Sequence, residues 1–171
     1  RLCLWSTGNQ KLRLDGHLAL ASSVAYENDE APIGETAPST SIDDYVRANA
    51  LSSVELIMLD TEGGEENALL GARKTIARDA PNIVFEVHRN FVDWTAGLEN
   101  TSIVTFLTSR GYDVFAIRDF HNNYQMADAP VEIIPVSEVY LEGPPHGFNL
   151  LATKDTSLVE RLGLHVVRNV S

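Results

Sequence analysis

"LDTEGGEENALLGARKTI", residues 59–76, closes an apolar run over 54–59 that only Glu55 interrupts. Asp60, Glu62, Glu65 and Glu66 crowd carboxylates just past that run, with Gly63 and Gly64 among them. The near-continuous apolar run predicts a strand buried on both faces of a parallel sheet. Residues 65–78 follow as an amphipathic helix with Leu69, Ala72 and Ile76 on one stripe. The acids then divide by cause. Glu65 and Glu66 fall in a first helical turn, where the macrodipole favours negative charge for stability alone. Asp60 and Glu62 close the strand, and in α/β sheets ligands bind outside the carboxyl ends of strands.

The same alternation continues outward. Residues 83–88, "IVFEVH", make a second apolar strand, "NTSIVTFLTSRG" a helix capped at Thr101 or Ser102 and stopped at Gly111, and "YDVFAIRD" a third strand. "VEIIPVSEVYL" is extended chain that Pro135 confines to an edge or a break. "GFNLLATK" is the last strand, followed by a capped turn over 155–162. Upstream, "TSIDDYVRA" predicts a short helix capped by Thr40 or Ser41, with Asp43 and Asp44 in its first turn. Residues 28–40 lack an apolar period and hold Pro32, Gly34 and Pro38, so they predict a loop. Residues 1–27 alternate apolar stretches with turn residues at Thr7-Gly8-Asn9 and Asp15-Gly16, the pattern of β-hairpins or strand ends.

Strand, helix, strand, helix, strand builds right-handed crossovers, so the expected class is α/β, a mostly parallel sheet with helices on both faces. The expected organisation is one structural domain over 1–171, with a strand and loop region at 1–40 and the α/β part at 41–171. The 171 residues carry net charge -11, with 24 acidic against 13 basic side chains, a field that repels nucleic acid and anionic membranes. No apolar run reaches the roughly 18–20 residues of a membrane span. The one cysteine, Cys3, excludes an internal disulfide and fits a reducing compartment such as the cytoplasm.

Read for chemistry, the strand ends offer Asp60, Glu62, Glu86 and His88, and His146 and Asn149 flank the start of the last strand. A carboxylate inside an apolar strand, as Glu86 is, needs a partner or an open cleft. His88, His146 and Asp60 are candidate bases, while Glu86, His88 and Asn149 are candidate substrate contacts. His121, in "RDFHNNYQM", reads as a solvated turn. Scattered Asp, Glu and His make a weak metal signal, and no metal ligand set is assigned. GxSxG, Walker and CxxC patterns are absent.

Together "STSIDDYV", "VELIMLDTEGGEENALLGARKTI", "NIVFEVH", "FLTSRGYDVFAI" and "GFNLLATK" resemble the carboxyl-terminal half of the FkbM-type methyltransferase family, from about residue 38 to about residue 154. The most specific part is an ID(V/T)EG-x-E pattern followed by L-x-G-A, met here by Leu59 to Gly63 with Glu65, Gly71 and Ala72; the Gly63-Gly64-Glu65 step replaces the family's usual GAE. The resemblance implies a Rossmann-like fold, S-adenosylmethionine as cofactor and methylation of a hydroxyl on a sugar or natural product. It places Asp60 and Glu62 beside the cofactor and Glu86 and His88 on the acceptor side. The family's glycine-rich cofactor turn is not found, and the chain opens with Arg1 rather than Met. The expectation is therefore a piece of a longer methyltransferase, with a preceding segment or a partner chain covering the exposed sheet edge. The alternatives are a catalytically inactive scaffold subunit and a carbohydrate-binding α/β module.

Overall fold

The computed structural model describes residues 2–15, 23–25, 35–118, 129–139 and 147–168. The chain divides into two compact units, Arg1–Glu55 with Leu59–Pro81, and Leu56–Met58 with Asn82–Ser171.

The first unit holds strands β1 (Cys3–Leu4), β2 (Lys11–Asp15), β3 (Ser23–Ala25) and β4 (Glu35–Thr40) in the order β1-β4-β2-β3. β2 is antiparallel to both β3 and β4, and β1 runs parallel to β4. β1 and β2 are thus not a hairpin, because β4 lies between them. Part of the stretch expected to be a loop is this β4 strand. Its alternation is real, with Ala37 and Ser39 buried and Thr36 and Pro38 exposed, but small residues carry it. Helix α1 (Ile42–Ala48) begins as expected, with Ser41 Oγ accepting the Asp44 N–H at 3.0 Å.

The single helix expected over 65–78 is instead two, α2 (Glu65–Leu70) and α3 (Arg73–Asp79). Asp43 causes the break. Its N–H donates to the Gly71 carbonyl at 2.9 Å, and its carboxylate accepts from the Lys74 and Thr75 N–H groups at 3.0 and 2.8 Å and from the Thr75 hydroxyl at 2.8 Å. Backbone groups that would join one continuous helix are capped from α1.

The second unit is built on a six-stranded sheet ordered β10-β8-β7-β9-β6-β5. Its strands are β5 (Leu56–Leu59), β6 (Asn82–His88), β7 (Asp113–Ile117), β8 (Glu132–Pro135), β9 (Gly147–Thr153) and β10 (His165–Val166). Helices α4 (Ser102–Thr108) and α5 (Ser157–Arg161) complete it. The sheet is mixed rather than mostly parallel: β9 inserts antiparallel between β6 and β7, β7 and β8 are antiparallel, and β10 is parallel to β8. Crossovers through helices would seat β7 directly beside β6, but β9, arriving later in the chain, takes that place.

Ile83, Phe85, Val87, Val104, Ile133, Leu150 and Ala152 are fully buried and form the core around β6 and β9. β5 is one of the two edge strands, and it alternates instead of being buried on both faces: Ile57 and Leu59 are inside, while Leu56 and Met58 are 57% and 73% exposed. Pro135 ends β8, as its missing N–H requires. No helix among the described residues is long and apolar enough to cross a membrane.

Candidate functional site

In the first unit the chemistry gathers on the turn that follows β5. Asp60, exposed, leads into a tight turn over 61–64, closed by the Gly64 N–H on the Thr61 carbonyl at 3.3 Å. Its central residues, Glu62 and Gly63, both have positive φ, 50° and 97°. That is the type I′ pattern, natural for Gly63 and unusual for a glutamate. Glu65 holds the turn in place. Its carboxylate reaches back from the start of α2 and accepts from the Thr61 N–H (2.6 Å), the Thr61 hydroxyl (2.9 Å) and the Gly63 N–H (3.0 Å). Glu65 is buried. The sequence reading assigned it to helix stability alone; here it fixes the conformation that presents Asp60 and Glu62. Such over-determined backbone strain concentrates at binding sites.

In the second unit, the pairing of β6 with β9 sets Glu86 opposite Asn149 and His88 opposite Gly147. Since alternate residues share a face, these positions line one side of the strand pair, while Phe85, Val87, Phe148 and Leu150 line the other. The sequence-predicted acceptor contacts Glu86, His88 and Asn149 are therefore brought together. Gly147 is part of this arrangement: a Cβ there would stand 2.6 Å from Glu86 Oε1 and 3.2 Å from the Val87 carbonyl. The Glu86 carboxylate occupies the space that the glycine leaves open.

His88 has a defined proton arrangement. Its Nδ1 accepts the Asn90 N–H at 3.1 Å, so the neutral ring carries its proton on Nε2. That tautomer donates through Nε2, and taking a proton at Nδ1 would require breaking the Asn90 bond. Expected site residue His146 lies outside the described residues, as does His121.

Past His88 the chain turns back, with the Phe91 and Val92 N–H groups both on the His88 carbonyl at 3.0 Å. Residues 89–95 line a cleft of about 460 Å³. The Phe91 ring lies 5.5 Å from the His88 ring and is 45% exposed. Trp94 is buried and meets Phe148 edge to face at 5.4 Å. The Asp93 carboxyl is held below its ordinary value by the Thr95 N–H and hydroxyl. None of Phe91, Asp93 or Trp94 was singled out in the sequence; the available signal was two aromatics in a polar segment directly after a strand end.

The model of the methyltransferase FkbM domain matches residues 6–114, more than half of the chain. The match begins well before the stretch near residue 38 where the resemblance was first legible, so β2 to β4 lie inside the family domain. No curated protein and no solved structure matches the chain. With the acidic turn after β5 inside the matched stretch, the chain belongs to the methyltransferase FkbM domain family.

Proposed function

We propose that the protein is an S-adenosylmethionine-dependent O-methyltransferase acting on a hydroxyl of a sugar or natural-product-like small molecule. The observation that carries this reading is the clamped turn over 61–64. A buried glutamate accepts three hydrogen bonds from the residues on either side of a neighbouring glutamate held in a left-handed conformation, two positions after an exposed aspartate. The donor set fits the cofactor: carboxylate acceptors at Asp60 and Glu62 complement the hydroxyls and the ammonium group that S-adenosylmethionine carries.

When bound, that cofactor supplies an electrophilic methyl group. The protein's part is to hold the acceptor hydroxyl in line and exclude water, the main source of rate in a displacement with little other chemistry to do. On this reading Glu86 and Asn149 bind the acceptor's polar groups, and His88 donates to the acceptor through Nε2. The proton released from the hydroxyl passes to a base of the protein as attack proceeds. The outermost position of β5, with Leu56 and Met58 facing out, supports a preceding segment or a partner chain along that edge. The test is methyl transfer from isotopically labelled S-adenosylmethionine to a panel of hydroxylated acceptors by the full encoded protein. Transfer that is lost in Asp60→Asn supports the reading. Absence of transfer together with absence of cofactor binding favours the scaffold alternative.

A further inference from the structure

The second unit carries a larger hollow at the other end of its sheet. β9 meets His88 at Gly147 and meets Asp113, the first residue of β7, at Thr153. That length of extended strand, roughly 20 Å, separates Asp113 from the His88 end. A groove of about 760 Å³ is lined there by the start of β7, the end of β8, α5 and β10. Pairing of Phe115 with Pro135 joins the first two, β10 runs parallel to β8, and the Leu164 N–H on the Val159 carbonyl ties α5 to the approach of β10. Most of the lining lies beyond residue 114, where the family match ends. Phe115, Pro135, Val159, Leu164 and Val166 line the groove half-buried. Apolar side chains left partly open together on a concave face mark an interaction site, as single exposed ones do not.

The charged groups of the groove are mostly acidic. Glu99, Asp113 and Glu160 line it, are exposed, and have no cationic partner among the described residues. Arg168, the one basic residue of the lining, is held by Glu138 at 2.8 Å, and Lys154 lies over the Tyr112 ring at 4.9 Å. We propose that this groove docks a basic amphipathic segment of a partner protein, with its apolar side chains on Phe115, Val159 and Leu164 and its lysines or arginines on Glu99, Asp113 and Glu160. The inference goes beyond methyl transfer and does not rest on that reading. Charge complementarity selects the occupant: an acidic segment meets three uncompensated carboxylates, and a wholly apolar one covers them unpaired. The three acids come from separate stretches of chain, so an occupant with several cations around an apolar stripe answers the whole lining, as an amphipathic helix does in a groove. A polyamine offers the cations without side chains to fill the apolar floor.

The experiment is fluorescence anisotropy with the full encoded protein and three probes: a labelled amphipathic peptide of leucine and lysine, its leucine and glutamate counterpart, and spermine as competitor. The expected result is saturable binding of the lysine peptide. Its affinity should be about fivefold weaker in the double variant Asp113→Asn with Glu160→Gln, the scale of two exposed ion pairs, and about threefold weaker in Val159→Ser. The double variant Glu55→Gln with Glu66→Gln makes the same change in net charge outside the groove lining and should stay within about twofold of wild type. Thermal unfolding near the wild-type midpoint confirms that each variant folds. Equal loss in the two double variants means attraction to net charge alone and overturns the groove, as does equal binding of the glutamate peptide. Spermine that binds as tightly as the lysine peptide, with the same dependence on Asp113 and Glu160, overturns the partner segment in favour of a small polycation. No saturable binding of the lysine peptide overturns the proposal outright.

Discussion

Replacing Glu65 by alanine separates a structural acid from an ordinary helix-end acid. Glu65 and Glu66 look alike in the sequence, adjacent acids in a first turn, and the macrodipole alone gives each about 0.3–1 kcal/mol. In the structure Glu65 is 6% exposed and accepts three hydrogen bonds at 2.6, 2.9 and 3.0 Å. Bonds to a charged group are worth roughly 1.5–3 kcal/mol each when one partner is removed. Thr61 is half-buried and Gly63 exposed, so water replaces part of what is lost. The net expectation for Glu65→Ala is about 2–3 kcal/mol. At about 2–4 °C per kcal/mol for a chain of this size, Tm falls by about 5–10 °C. Glu66→Ala should fall within the macrodipole range. Urea and thermal unfolding of both variants measure the contrast, and calorimetry with S-adenosylhomocysteine measures whether the released turn still binds. Equal and small effects for the two variants, within about 0.5 kcal/mol of wild type, refute the clamp.

The remaining predictions concern the second site face and two titrations. Gly147→Ala forces the Glu86 carboxylate off its position, at a stability cost within the range of about 1–3 kcal/mol for overpacking; the Glu86 carboxyl carbon resonance should move, and an unmoved resonance contradicts the packing. The Asp79 carboxyl is held below its ordinary 3.8 by hydrogen bonding to Arg78, with the Val54 N–H adding to it at 2.9 Å. A depressed folded value means that this contribution is complete above the unfolded value and is lost as pH falls through the folded one. The stability difference between wild type and Asp79→Asn should therefore be constant near neutrality and close below 3.8; a difference that persists in acid contradicts it. Burial pushes the Tyr112 phenol up to about 12, so its contribution is complete below 10.0 and is lost as pH rises from there through about 12. Ultraviolet titration should show a late phenolate step that Tyr112→Phe removes, and a late step surviving in that variant sinks the assignment.

Local features were largely legible in the sequence. The Ser41 cap and the strands β6, β7 and β9 follow from residue chemistry that acts within a few positions. So did the acidic strand-end motif, which carries the family. What was not legible depends on distant partners. Whether 65–78 is one helix or two is decided by Asp43, some thirty residues earlier, through its bonds to Lys74 and Thr75. That β9 inserts between β6 and β7 is a matter of long-range pairing, which periodicity does not encode. β4 was hidden because Ala37 and Ser39 carry its buried face with almost no hydrophobic signal, and Pro38 argues locally against a strand. Asp60, Glu62, Glu86, His88 and Asn149 were named as candidates from their positions at strand ends, and the pairing of β6 with β9 sets Glu86, His88 and Asn149 on one face. Glu65 stands in the first turn of α2 as read, but the direction in which its carboxylate turns, back onto Thr61 and Gly63, is not written in the spacing.

Cofactor capture by the turn over 61–64 is the central claim, and titration calorimetry of the full encoded protein with S-adenosylhomocysteine tests it most directly. The account predicts saturable one-to-one binding that Asp60→Asn and Glu62→Gln each weaken by about tenfold, the scale of one charged hydrogen bond. Binding that neither substitution alters, or no binding by the full encoded protein, contradicts it.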